Sequence, residues 1–189
     1  MNTVSSVSGE AGNGATNRTR GLVMVNTGNG KGKTTAALGL LLRAWGHDMK
    51  VVMLQFIKSA TANYGEHRAA RRMGIEILAG GTGFTQRGKK AGKHEHLAQE
   101  LWSVAKEKIN SGAYQMVILD EISYPLRYDW LSVDEVLDVL RHRPETVHVV
   151  LTGRDIPQEL IDFADVATDL REVKHHLKKG IKAQPGIEF

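Results

Sequence analysis

The chain has 189 residues, 41% of them hydrophobic and 24% charged, with 25 Lys and Arg against 21 Asp and Glu for a net charge of +4, and it has no cysteine. That length suits one domain with a substantial core, and no apolar run approaches the roughly 20 residues that span a bilayer. The basic excess is modest and scattered, which favours small anionic ligands over nucleic acid; with no cysteine and no targeting pattern in the leader, the expected compartment is the cytoplasm.

Residues 1–20 are rich in Ser, Gly, Asn and Thr and are expected to form a mobile leader, because they offer too little apolar surface to offset ordering entropy. Residues 21–189 then alternate as one α/β domain. Leu22–Asn26 reads as a strand, and Lys33 to about His47 as a helix with Leu38, Leu41, Leu42 and Trp45 on one face. Lys50–Ile57 is a fully buried strand, Gly65–Met73 a short basic helix and Ile75–Leu78 a short strand. Gly80–Lys93 is a long basic, glycine-rich loop, followed by a helix over His94–Asn110. Met116–Leu119 is a fourth strand. Ser132 and Glu135 have capping-box spacing and open a helix to about His142, stopped by Pro144. Val147–Leu151 is a fifth strand and Pro157–Ala164 a last short helix. Continuous apolar strands alternating with helices predict a mostly parallel central sheet covered on both faces; with the glycine-rich loop described next, the expected fold is a P-loop NTPase-like (RecA-like) three-layer sandwich.

Two motifs carry chemistry. The first is Thr27-Gly28-Asn29-Gly30-Lys31-Gly32-Lys33-Thr34, a glycine-rich loop between strand and helix that ends in Gly-Lys-Thr, as a phosphate-binding loop does. Glycines let successive N–H groups turn inward as an anion nest, and the helix N-terminus adds its positive dipole end. Lys33 supplies a point charge for the terminal phosphates and Thr34 a hydroxyl for Mg²⁺. The common pattern has Gly where Thr27 stands. The second motif is Met116-Val117-Ile118-Leu119-Asp120-Glu121, an apolar strand that delivers two carboxylates to the metal beside the loop. Asp120 or Glu121 binds or orients the ion, with Glu121 the first choice. Strand ends of open α/β sheets share one crevice, so MgATP or MgGTP is the expected ligand. With no Asn-Lys-x-Asp segment to read guanine, ATP is favoured.

Other residues keep two readings. Arg154, after the fifth strand, and Arg43, on the helix after the loop, either bind phosphate or pair with surface carboxylates. Phe84, within Gly80–Lys93, either plugs the core or stacks on a ligand. His94 and His96 do not face one another on a helix and read as solvated. Tyr124, Tyr128 and Trp130 are aromatic packing or an apolar ligand wall. The cations from Lys174 to Lys182 decorate a solvated tail or close over a small anion.

Taken in order, TGNGKGKTTAALG, VVMLQFIK, TGFT, VILDEISY, VLTGRD and VKHHLKKGIKAQPGIEF resemble the P-loop-type ATP:corrinoid adenosyltransferases from about Gly21 to Phe189. The resemblance implies that a cobalt(I) corrinoid attacks the ribose 5′-carbon of ATP bound with Mg²⁺ (or Mn²⁺) and expels inorganic triphosphate. It further implies that Asn29, Gly30, Lys31, Gly32, Lys33, Thr34 and Thr35 contact the phosphates and that Arg43 is a nucleotide-site position; Gly28 of the same loop and Arg154 complete the expected nucleotide-binding set. Lys33, Thr34, Glu121 and Phe84 would carry catalysis, Phe84 by lying against the corrin and displacing its lower axial ligand. Thr34, Glu121 and Asp120 would hold the metal. An electron-donating reductase and a homodimer are implied, with neither nucleic acid nor membrane as partner. In the family's best-known members a second aromatic, Trp, stands where this chain has Gln86. Residues 1–20 also lack the helical periodicity of the family's capping arm. The competing readings are a P-loop ATPase or kinase that cleaves the γ-phosphate, and a non-enzymatic switch or corrinoid carrier. The Asp-x-His-x-x-Gly signature of histidine-ligated corrinoid carriers is absent.

Overall fold

A computed structural model describes residues 20–59, 61, 63–81, 83 and 91–189. Chain order is β1 (Val23–Thr27), α1 (Lys33–Trp45), β2 (Val51–Ser59), α2 (Gly65–Met73), β3 (Glu76–Gly81), α3 (Ala91–Asn110) and β4 (Met116–Asp120). It continues with α4 (Ser123–Arg127), α5 (Val133–His142), β5 (His148–Thr152), α6 (Gln158–Phe163), β6 (Val166–Asp169) and a 3₁₀ turn at His176–Lys179. The strands form one sheet in the order β3-β2-β4-β5-β1-β6, and every pairing is parallel.

The continuous apolar strands bury both faces, as parallel sheets require. On β4, Val117 and Leu119 join a core that includes Leu101 and Trp102 of α3, Val136 and Leu140 of α5, and Leu160 of α6. The alternate residues Met116 and Ile118 pack with Ala37, Leu41 and Ala44 of α1 and Ala70 of α2. The result is the three-layer α/β sandwich of a P-loop protein.

Several local expectations change. A sixth strand, β6, lies on the edge beside β1; its four residues are all exposed, so it carries no hydrophobic signature. The helix α4 directly after the two carboxylates was likewise not expected. β3 extends to Gly81 and α3 begins at Ala91, so the connection between them is shorter than the expected Gly80–Lys93 loop. On α1 the sheet takes the neighbouring stripe Ala37, Leu41 and Ala44, while Leu42 and Trp45 stay largely exposed. Small residues let the helix axis come close to the strands, and the large apolar residues then sit to the side. Ser132 caps α5 by accepting the Glu135 N–H, while the Glu135 carboxylate is taken by Lys106 of α3 at 2.7 Å.

Candidate functional site

The turn 28–32 joins the end of β1 to the start of α1. Its shape follows from what lies against it. Gly28 has φ +95°, and a Cβ there would collide with the Asp169 carboxylate and the backbone of Leu170. A Cβ on Gly30 would strike the Leu170 carbonyl and the backbone of Arg171. These glycines are therefore required by close approach of the segment after β6, beyond any need for conformational freedom. The contact is bonded: Gly30 N–H donates to the Leu170 carbonyl at 2.6 Å, and Leu170 N–H to the Thr27 carbonyl at 2.9 Å.

Lys33 is buried, and its ammonium donates to the Gly28 and Gly30 carbonyls, both at 2.8 Å. Burial pulls its pKa below the usual lysine value, and the field of Glu121 acts in the opposite direction. A buried cation solvated by the carbonyls of its own turn is poised for an anion. Gly28, Gly32 and Thr34 are partly exposed, and Asn29, Lys31 and Thr35 are exposed, so the turn is reachable from solvent.

The acid side is built from three strands. Asp120 is only 1% exposed. Its Oδ1 accepts the hydroxyls of Thr34 at 2.9 Å and Thr152 at 2.8 Å, and its Oδ2 accepts the Gln55 side-chain amide at 3.1 Å. Since Gln55 gives its N–H₂ to Asp120, its carbonyl oxygen is the acceptor for His67 Nε2, 2.6 Å away, which fixes that nitrogen as the protonated one. A directional chain thus runs from His67 through Gln55 to Asp120. Glu121 has φ +59°, an uncommon conformation for a non-glycine residue, with its N–H anchored on the Thr152 hydroxyl at 2.9 Å. Burial first, and the Asp120 charge second, push the Glu121 carboxyl above the usual carboxylate range. Asp120 is saturated with donors, while Glu121 carries the charge the site has not yet neutralised.

The structure thus brings Gly28, Gly30, Lys33, Thr34, Asp120 and Glu121 to one crevice at the carboxyl ends of β1 and β4. Arg154 lies close enough to act electrostatically on both Lys33 and Glu121. Arg43 sits in the exposed last turn of α1, about 15 Å of helix rise beyond Lys33, and is not brought to the loop within this chain. Phe84 and Gln86 lie outside the described residues. His96 pairs with Glu100 at 3.4 Å. Tyr124, Tyr128 and Trp130 form one aromatic cluster, with ring centroids 4.8–5.7 Å apart, and His94 stacks on Trp130. Lys31 meets Glu188 at 2.9 Å, which brings the 176–189 segment to the loop.

Sequence reasoning missed Gln55, His67 and the Thr152 hydroxyl. One signal was available for Gln55: a lone amide among the six apolar residues of the buried run 51–57 must have a buried partner. Its register opposite Asp120 identifies that partner.

The ion-binding capacity can be judged from the donors. Among the described residues no cluster of three or more His, Cys, Asp or Glu could hold a metal. The hard oxygens of Thr34, Asp120 and Glu121 nevertheless suit Mg²⁺, which takes one or two carboxylates and completes its shell with phosphates and water. Among the described residues no helix is long and apolar enough to cross a membrane.

Residues 19–189 match the family described as ATP:corrinoid adenosyltransferase BtuR/CobO/CobP. The chain is 41% identical over 170 residues to the corrinoid adenosyltransferase of Escherichia coli K12, covering 90% of this chain and 86% of the relative. It is 40% identical over 173 residues to a corrinoid adenosyltransferase of Sinorhizobium, covering 90% and 81%. Against corrinoid adenosyltransferase CobA of Salmonella typhimurium the identity is 39% over 170 residues, covering 90% and 86%.

Proposed function

Because the chain belongs to the ATP:corrinoid adenosyltransferase family, we propose that the crevice at the ends of β1 and β4 is where it works, with residues 21–189 acting as one domain. The protein is a transferase: it moves the 5′-deoxyadenosyl group of ATP to the cobalt(I) of cobalamin or a corrinoid precursor. The cobalt lone pair attacks the ribose 5′-carbon, a cobalt–carbon bond forms, and the carbon–oxygen bond breaks with its electron pair leaving on triphosphate. The relatives named above do not favour the alternative of γ-phosphate cleavage.

Residues 28–35 hold the triphosphate. Lys33 exchanges its two carbonyl partners for phosphate oxygens, and Arg154 adds a second positive charge beside it. Thr34 and Glu121 hold Mg²⁺, and Asp120, fixed by Thr152 and Gln55, keeps the Thr34 hydroxyl oriented. The ion supplies charge neutralisation for the departing triphosphate. Preorganised donors aimed at developing charge are the largest lever such a site has, and no general base is required because the nucleophile carries no proton. The nucleotide-site role that the family pattern implies for Arg43 lies away from residues 28–35, at the far end of α1. Phe84 lies against the corrin and favours loss of its lower axial ligand, with Tyr124 or Trp130 supplying the apolar contact that Gln86 cannot. An electron-donating reductase supplies cobalt(I), the working form is a homodimer, and the compartment is the cytoplasm.

The observation that carries this reading is the buried Lys33 ammonium held beside the Asp120–Glu121 pair in a chain of this family. Anaerobic incubation with MgATP and chemically reduced cobalamin tests it. The expected products are adenosylcobalamin, seen by its spectrum, and inorganic triphosphate; ADP and phosphate with unchanged corrinoid would overturn the reading. Phe84→Ala should slow reaction from cobalt(II) more than from pre-reduced cobalt(I), and equal losses would remove Phe84 from the chemistry.

A further inference from the structure

The segment after β6 does more than wall the glycine turn. From the 3₁₀ turn at His176–Lys179 it runs back across the loop, and the Phe189 backbone lies against Gly65 at the start of α2. On the way Glu188 reaches the loop. Its Oε1 is 2.9 Å from Lys31 Nζ and 3.0 Å from His176 Nε2, and its Oε2 accepts the Gln184 N–H at 2.7 Å. The Glu188 side chain is 15% exposed, against 42% for Lys31. The Gln184 N–H and then the Lys31 ammonium hold this carboxyl below its usual range, so it stays charged at neutral pH.

Lys31 and Lys33 differ in a way that makes this contact consequential. Lys33 is fixed by burial and by two carbonyls of its own turn. Lys31 is exposed on the turn, where a free lysine would sample many rotamers and lose that side-chain entropy when a ligand fixed it. Glu188, itself anchored by the Gln184 N–H, restricts that freedom beforehand.

We propose that Glu188 is a positioning residue of the nucleotide site: with His176 it holds the Lys31 ammonium on the loop, so that the triphosphate meets a cation already in place. The proposal rests on the reading that residues 28–35 bind triphosphate. Preorganisation of a contact made to bound ATP and to the transition state alike acts on binding, so its loss raises KM for MgATP and leaves kcat nearly unchanged.

Four variants test it: E188Q, E188D, K31A and the double variant K31A/E188Q. In the nucleotide-free protein, brief acetylation followed by peptide mass spectrometry should label Lys31 about threefold faster in E188Q than in wild type, relative to Lys93 in the same digest. By calorimetry, E188Q should weaken MgATP binding about threefold to fivefold, the scale of one ion pair near a surface. E188D should recover most of that loss, and E188Q should add nothing in the K31A background. Three results would overturn the proposal: unchanged Lys31 labelling, an E188Q loss that is as large without Lys31 as with it, or tighter MgATP binding in E188Q. The last would make Glu188 a competitor of the triphosphate. If wild type binds no MgATP, the reading of the loop fails, while the labelling result still decides whether Glu188 restrains Lys31.

Discussion

The hydroxyl of Thr152 on β5 donates to Oδ1 of Asp120, its neighbour on β4, across 2.8 Å. The Thr152 hydroxyl oxygen in turn accepts the Glu121 N–H, so one side chain fixes both acids. Thr152→Val keeps the shape and removes the hydroxyl, leaving a buried N–H and a buried carboxylate short of a partner. Each such loss costs about 1–3 kcal/mol. The two losses together set the expected fall in urea unfolding at about 2–6 kcal/mol, with Thr152→Ser recovering most of it.

Glu121 gives a prediction in the other direction. Its pKa is raised in the folded protein by burial and by Asp120, so the native state holds that proton more tightly than the unfolded chain does. The ionised group therefore costs stability as pH rises from the ordinary carboxylate range through the raised value. Glu121→Gln should melt about 2–4 °C higher than wild type at pH 7.5, the shift that about 1 kcal/mol produces in a domain of this size. The gap should narrow as pH falls through the ordinary glutamate range and close by about pH 3, where the wild-type carboxyl is neutral in both states. Adenosyl transfer by the same variant should fall by about 10²-fold. Equal melting temperatures at pH 7.5 would refute the electrostatic part.

Lys33 is predicted to matter for turnover on a comparable scale. Lys33→Ala removes the buried cation and should lower the single-turnover rate of cobalt(I) alkylation by roughly 10²–10³-fold, the range for one preorganised charge-stabilising donor. The loss should persist at saturating MgATP. Full recovery at saturation would assign Lys33 to binding alone.

Far from the crevice, His148 sets an acid-side limit on stability. Its Nδ1 accepts the Leu22 N–H at 3.1 Å, and burial, with Arg143 second, lowers its pKa. As pH falls through about 6.5 the unfolded chain takes up the proton first, so folding stability declines from there toward the lowered native value. Thermal melts from pH 7.5 to 5.5 should show this slope, and His148→Asn, which keeps an acceptor and removes the titration, should flatten it.

How much of this was legible beforehand depended on sequence distance. The place of the glycine turn could be read because strand, glycines, Lys33, Thr34 and helix are contiguous, and that of the acid pair because Asp120 and Glu121 directly follow four apolar residues. The donors that make Asp120 a fixed acceptor could not be found that way. Gln55 and Thr152 reach it only once β2, β4 and β5 are in register, and His67 is one step further removed. β6 escaped because exposed edge residues carry no periodic signal. The large residues of α1 misled for a related reason: periodicity marks an apolar stripe, but which neighbouring stripe meets the sheet depends on how closely the helix must pack. The contacts of Leu170 and Glu188 with the glycine turn had no local signature at all.

The strand order has a consequence for how the protein is made. β1 lies between β5 and β6 and pairs with neither β2 nor β3, so the earliest strand waits for the two latest before it has any neighbour. Closing so large a loop is entropically costly and slows folding. During synthesis β2 and β3 can pair first and β4 can then add to β2, while residues 23–34 stay without a sheet to hold them. The turn receives its Leu170 contact only after β6 docks. A ribosome-bound chain that ends before β6 therefore carries the whole glycine-rich motif and still lacks the wall that shapes it, so the turn takes its final form late in biogenesis.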